Sequence, residues 1–243
     1  MDSTQRFGSR AGAYAAFRPT YPPAAIDAAL AGLGDPRALT IADVGAGTGI
    51  STRLFAERGA AVIAIEPNAR MRGNAVPHPA VEWRDGTAEG TGLGDASVDA
   101  VVACQAFHWF ATEAAMREFR RIARRRAVLL QYERDESDAF TAAYGDVVRA
   151  YATDDTEALR ERALATFAEY PGATVTRSQA CSRQRLDRDA LLGRAASSSY
   201  LPSSGAKAGA LRGDLLALFE RYERGGAVEL AMVTHAIVAD WSP

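Results

Sequence analysis

Apolar positions change their period repeatedly along this chain, and the changes mark out its elements. Leu39–Val44 is a short apolar run, Ile50–Arg58 carries Leu54 and Phe55 at helical spacing, and Ala61–Ile65 is again rich in strand formers. Asn68–Asn74 reads as a helix and Val81–Arg84 as a brief strand. Val98–Cys104 is apolar apart from Asp99, as a parallel strand buried on both faces should be. Thr112–Ala123 puts Met116, Phe119 and Ile122 on one helical face, and Ala127–Tyr132 is a further buried strand. Strand, helix and strand repeated in this way predict a parallel sheet with helices on both faces.

The two ends depart from that rhythm. Ala11–Phe17 and Pro22–Leu33 predict short helices split by Arg18-Pro19-Thr20-Tyr21-Pro22, a link made rigid by its prolines. Gly32, Gly34 and Pro36 stop the second helix. Ser137–Ala168 predicts two helices, with Phe140, Tyr144 and Tyr151 at core spacing. Thr174–Leu186 alternates as a strand, Asp187–Ser197 and Leu211–Tyr222 are helical, and Ala227–Ala239 is the last strand. Two late strands joined by helices predict an antiparallel edge on the parallel sheet. Ser197–Gly205, small and polar, predicts a mobile loop.

Composition narrows this reading. A chain of 243 residues, 48% hydrophobic and 24% charged, suits one domain with a sizeable core. A net charge of −2 gives no pull toward nucleic acid or an anionic membrane. Arg120, Arg121, Arg124, Arg125 and Arg126 form the densest positive run and read as a solvated helix end. Cys104 and Cys181 lie far apart without metal-ligand spacing, so two buried free thiols are expected. The first ten residues lack the apolar stretch of a signal peptide, and no 18-residue apolar run exists. A cytoplasmic protein, monomeric or homodimeric, is expected.

The chemistry centres on Ile41-Ala42-Asp43-Val44-Gly45-Ala46-Gly47-Thr48-Gly49, which follows a strand and opens a helix. Glycines there let the backbone approach a ligand closely. Glu66 ends the next strand 17 residues after Gly49, where a carboxylate can accept both hydroxyls of a ribose. A dinucleotide site needs G-x-G-x-x-G, but here the third glycine comes one residue early and Ile50 follows. Asp43 would repel a pyrophosphate and suits an ammonium-bearing ligand.

This stretch resembles motif I of class I S-adenosylmethionine (SAM)-dependent methyltransferases of the type 11 group. Ala61–Pro67 resembles their second motif, Asp85-Gly86-Thr87-Ala88-Glu89 their adenine loop, and Ser97–Val102 with Gln105–Trp109 their fourth strand and its exit. The opening Tyr14…Phe17-Arg18-Pro19-Thr20-Tyr21-Pro22 is similar to a subgroup that includes the trans-aconitate methyltransferase-like proteins. The clear match covers about residues 7–133. It implies a doubly wound, seven-stranded, mostly parallel Rossmann-like α/β sheet with an antiparallel C-terminal strand. It implies one domain over 1–243, with residues 1–36 as an N-terminal helical lid and 137–170 as a helical substrate insert. SAM is the implied cofactor and S-adenosylhomocysteine the product. The implied contacts are Asp43, Gly45, Ala46, Gly47, Gly49, Glu66, Pro67, Met71, Gly86, Thr87, Ala88 and Gln105, with Tyr14 and Arg18 closing over the methionine end. Many members carry Asp where this chain has Thr87.

His108 and Tyr132 are the catalytic candidates, both past or at the carboxyl ends of central strands. The ordinary pKa of His108 suits a general base, against a role as a pocket residue. Trp109 and Phe110 are expected as walls, Tyr200 as a gate and Tyr144 chiefly as core; His78 belongs to a surface loop and His235 to the last strand. The implied activity is methyl transfer to a small molecule of secondary or small-metabolite metabolism. Two alternatives stand: other SAM chemistry on a natural product, such as cyclisation or displacement, and SAM binding without catalysis. Nucleic-acid methylation is disfavoured, because no basic stripe with stacking aromatics exists.

Overall fold

Seven strands form one sheet in the computed structural model, which describes residues 17–241. The strands are β1 (Thr40–Val44), β2 (Ala61–Ile65), β3 (Val81–Arg84), β4 (Val98–Cys104), β5 (Ala123–Arg134), β6 (Thr174–Leu186) and β7 (Val228–Asp240). Their order is β3-β2-β1-β4-β5-β7-β6. The first five pair in parallel, and β7 runs antiparallel to both β5 and β6. The expected doubly wound sheet with a reversed C-terminal strand is therefore present.

Among the described residues, eight α-helices cover it: α1 (Pro23–Leu30), α2 (Ile50–Glu57), α3 (Ala69–Gly73), α4 (Glu113–Ile122), α5 (Ala139–Tyr151), α6 (Thr156–Ala168), α7 (Arg188–Ala196) and α8 (Gly205–Tyr222). Successive strand residues face opposite sides, so each buried strand feeds two cores. Ile41, Val102 and Leu130 pack with Ile26 of α1, Phe55 of α2 and Tyr144 of α5. Ala42, Val101 and Leu129 pack with Phe119 of α4 and Phe167 of α6. Asn68, Thr112, Asp138, Asp155 and Asp187 cap α3 to α7 in turn, their side chains accepting first-turn amides. No helix among the described residues is long and apolar enough to cross a membrane.

The arginine run corrects its sequence reading. Helix α4 ends at Ile122, and β5 begins at Ala123, four residues earlier than its apolar core suggests. Arg124, Arg125 and Arg126 thus lie on a strand. Arg126 is only 5% exposed, pairs with Asp240 and donates to the Ala31 carbonyl at 2.7 Å. Arg125 donates to the carbonyls of Gly32 and Leu33 at 2.9 and 3.0 Å. These guanidinium groups satisfy carbonyls that the end of α1 leaves open, and so tie that helix to the sheet. Arg121 is bound as well, donating to Glu118 and Leu93.

Three other expectations change. Cys181 is exposed, because β6 is an edge strand carrying arginines on its open side; only Cys104 is buried. Helix α8 starts at Gly205, six residues before the predicted Leu211. The stretch from Ser197 is packed at its start: Ser197, Ser198, Tyr200 and Leu201 are buried, and the Tyr200 carbonyl accepts from the Thr153 amide at 2.8 Å. Its apolar pair, Tyr200 and Leu201, outweighs its serines. Tyr14, and all of the predicted first helix except Phe17, lie outside the described residues.

Arg126→Ala should lower stability by about 2–4 kcal/mol, because it removes the pair with Asp240 and leaves the Ala29 and Ala31 carbonyls without their guanidinium donor. Arg124→Ala, which loses a half-exposed pair with Asp99, should cost about 1 kcal/mol or less. Urea unfolding of both variants measures the contrast, and equal losses would contradict it.

Candidate active site

Strand β1 lies between β2 and β4, where the winding of the sheet reverses, and the crevice beyond such strand ends is where doubly wound sheets bind ligands. The loop after β1 turns at once, with the Gly45 and Ala46 amides donating to the Ile65 carbonyl at 2.9 and 3.1 Å. Gly45 has φ 72°, and a Cβ there would sit 2.7 Å from Ala106 and 3.0 Å from Phe110. The side chains of Ala106 and Phe110 thus press against the backbone of the first loop, which only glycine permits. Gly49 serves packing: a Cβ on it would lie 2.9 Å from Trp83.

Glu66 is gripped from both sides. Its Oε2 accepts from the Gly47 amide and its Oε1 from the Asn68 amide, each at 2.9 Å. Burial raises its carboxyl above the ordinary value, against the pull of these amides and of Arg72. Asp43 lies beneath the loop, fully buried. Its Oδ2 accepts from Ser51 at 2.8 Å and Thr52 at 2.6 Å, while Oδ1 has no partner among the described residues. Burial pushes its carboxyl up to about 6 despite the two hydroxyls.

A cleft of about 890 Å³, counting its open mouth, runs across these strand ends. Of the expected cofactor residues, Gly45, Gly47, Glu66, Pro67, Met71, Gly86, Thr87, Ala88 and Gln105 line it, joined by the aromatics Trp109 and Phe110. Ala46 faces a side recess shared with Tyr21, Cys104 and Tyr132. Asn68, Glu89, Cys104 and Ala106 also line the cleft and were missed. The signal for Asn68 was its place as a helix cap directly after Glu66-Pro67; Cys104 and Ala106 flank Gln105 at the exit of β4.

Gln105 is held in the left-handed region, at φ 55°. Such strain costs roughly 1–3 kcal/mol and persists where the surroundings enforce it. Here its amide donates to the Leu130 carbonyl at 2.9 Å and its Nε2 to the Tyr132 carbonyl at 2.7 Å. Its Oε1 has no partner among the described residues.

The catalytic candidates gather next to it. Tyr132 is buried, packs against Tyr21 at 5.7 Å and accepts from Arg18 Nη1 at 3.5 Å. Arg18 Nη2 donates to the Ser197 carbonyl at 3.2 Å. Burial opposes ionisation of Tyr132, but Arg18 and Arg194 outweigh it and leave the phenol below its ordinary value. His108 is buried in a 3-10 turn, Phe107–Trp109, with its ring 4.6 Å from that of Trp109. It borders a recess with Arg18, Gln105 and Tyr200. His235 lies away on β7, 2.7 Å from Glu133, and His78 accepts from the Ala80 amide in a loop. Tyr144 is buried in the core beside Phe140.

A glycine loop without a phosphate-binding lysine, a clamped carboxylate at the end of β2 and a buried carboxylate with an open oxygen suit a cationic nucleoside ligand. With the strand order, they define the class I SAM-dependent methyltransferases. The comparisons agree. Residues 42–130 match the family described as a methyltransferase domain. An uncharacterized methyltransferase of Mycobacterium tuberculosis is 36% identical over 211 residues, covering 85% of this chain and 82% of its own. An uncharacterized methyltransferase of Schizosaccharomyces pombe is 34% identical over 111 residues, 45% of this chain and 44% of its own. A solved structure from Anaeromyxobacter dehalogenans, assigned to the methyltransferases, covers 93% of this chain and 99% of its own with a TM-score of 0.64 at 23% identity, a likeness of fold. The chain belongs to this methyltransferase family, and SAM is its methyl donor.

Asp43 titrates near 4 in an unfolded chain and about 6 in the folded protein. The folded state therefore holds the extra proton in between, and its stability falls as pH rises through that window. Urea titrations should show the ligand-free wild type losing ground to Asp43→Asn between about pH 4 and about pH 6. Parallel pH curves for the two would contradict the raised carboxyl.

Proposed function

We propose that the protein transfers the methyl group of SAM to a small-molecule acceptor of secondary or small-metabolite metabolism. The observation that carries this reading is the junction of two spaces. The cleft that begins at Glu66 and the recess bordered by His108 and Tyr200 share Gln105 and Trp109 as walls. A nucleoside held at Glu66 and an acceptor held at His108 would meet there.

SAM, when bound, supplies a methyl carbon activated by its sulfonium. The residues have only to align the partners and exclude water. Glu66, already fixed by two amides, has lone pairs left for the ribose hydroxyls. Gly45, Ala46, Gly47 and Gly49 keep the loop low, and Asp43 with its open oxygen favours a nearby ammonium. Pro67, Met71, Gly86, Thr87 and Ala88 would frame the adenine, with Thr87 as a neutral hydrogen-bonding partner. Arg18, together with Tyr14, is suited to the methionine carboxylate. Gln105, held by its strained backbone, presents its side chain between cofactor and acceptor. His108 or Tyr132 would take a proton where the acceptor has one to lose.

Helices α5 and α6 supply the insert over 137–170 that shapes the acceptor side, and Thr156 and Arg160 of α6 reach the recess. Residues 1–36 would close the methionine end, as the contact of Arg18 with Tyr132 suggests. The two free cysteines fit a reducing cytoplasm.

Calorimetry should show SAM and S-adenosylhomocysteine binding while NADH does not. Glu66→Ala should weaken both by about 100-fold, because it removes charge-assisted bonds worth about 1.5–3 kcal/mol each. With a metabolite extract and SAM, mass spectrometry should find a product heavier by one methylene. A SAM-dependent product without that gain would indicate other chemistry, and failure to bind SAM would sink the assignment.

A further inference from the structure

The recess beyond Gln105 holds more positive charge than the site has negative charge to match. Arg160 of α6 borders it beside Arg18 and Tyr200. Arg194 of α7, 7% exposed, packs behind it with its guanidinium 5.8 Å from the Tyr132 ring centre. The Nε atoms of Arg160 and Arg194 have no hydrogen-bond partner among the described residues, and neither guanidinium has an ion-pair partner among them.

The nearby acids are already engaged: Asp154 accepts from the Thr156 hydroxyl and Asp155 from the Ala158 amide. Arg134 pairs with Glu136 and Glu157, and Arg149 pairs with Glu136 and Asp146. Tyrosines do not close the gap. Burial opposes ionisation of Tyr200, while Arg18, Arg160 and Arg194 pull its phenol down to about 8, so at neutral pH it remains mostly a neutral donor. A buried guanidinium Nε without an acceptor, on a side chain without a counter-charge, is unfavourable, and a ligand that brings both would relieve it. The position, against the walls shared with the cofactor cleft, is that of an acceptor subsite.

We propose that Arg160 and Arg194, with the Tyr200 hydroxyl, bind an anionic group of the methyl acceptor, a carboxylate or a phosphate. The acceptor class is then organic acids or phosphate esters. The inference rests on the methyl-transfer reading for the word acceptor, but the anion site itself does not. Arg18 also borders the recess, bonded to the Tyr132 hydroxyl and the Ser197 carbonyl, and is left to the cofactor.

The test titrates protein saturated with S-adenosylhomocysteine with citrate and with inorganic phosphate, at ionic strength held constant with sodium chloride. At least one anion should bind, and Arg160→Gln and Arg194→Gln should each weaken it by about tenfold or more, the loss of one charge-assisted contact. Arg162→Gln, on the exposed side of α6, should leave it unchanged. Affinity for S-adenosylhomocysteine should hold in all three variants. Citrate binding above phosphate assigns a carboxylate, and the reverse a phosphate ester. The proposal is overturned if neither anion binds, if binding survives both substitutions, or if those substitutions instead cost S-adenosylhomocysteine affinity. If the wild type does not bind S-adenosylhomocysteine, the methyl-transfer reading fails, and the same anion titration on ligand-free protein still decides about the arginines.

Discussion

One carboxylate joins the two loops that make the site. Glu66 stands at the end of β2, yet it accepts from the amide of Gly47 in the loop after β1 and from that of Asn68 at the start of α3. A buried carboxylate needs such donors, because without them it would take up a proton rather than stay charged. The loop needs the carboxylate equally, since a turn this tight leaves amides without sheet partners. The close approach of Gly45 to Ala106 and Phe110 follows from that turn, and it brings the exit of β4 against the exit of β1. The strain at Gln105 belongs to the same junction.

Arginine does three different jobs in this molecule, and burial decides which. On β5, Arg125 and Arg126 satisfy carbonyls at the end of α1, so their charge is spent on the backbone. At the end of β5, Arg134 binds two carboxylates and stays neutralised. In the recess, Arg160 and Arg194 have neither carbonyl nor carboxylate at their Nε atoms. Guanidinium is suited to all three because it never gives up its proton and carries five donors. Only the surroundings distinguish a structural arginine from one that awaits a ligand.

Much of this was legible from the chain. The mostly apolar runs at Leu39–Val44 and Val98–Cys104, each broken by a single acid, read as buried strands, since strands covered on both faces are near-continuously hydrophobic. The glycine spacing and the acid 17 residues on marked the cofactor side of the cleft, and nine of the expected residues line it. The errors share a cause. In the run from Arg120 to Arg126, read by charge as a solvated helix end, Arg120 and Arg121 do end the helix and are exposed, but Arg125 and Arg126 lie on the start of β5, where the end of α1 gives them carbonyls to bind. Cys181 was read by residue type as buried, but it lies on the open edge of the sheet. Ser197–Gly205 was read by its serines as loose, but Tyr200 and Leu201 anchor it.

By itself, then, the sequence determined the elements, the winding of the sheet and the loop that carries the glycines. Those depend on contacts near in sequence and on hydrophobic period. It could not determine which charges are neutralised, because pairing depends on residues far apart in the chain: Arg126 with Asp240, Arg18 with Ser197 and Tyr132, Arg134 with Glu157. Nor could it show that Arg160 and Arg194 both come close enough to Tyr200 to act on its phenol, since they come from two helices with a strand of the sheet between them in the chain. Local pattern sets backbone form, whereas Coulomb and desolvation energies are set by distance and burial, and those exist only once the chain is folded.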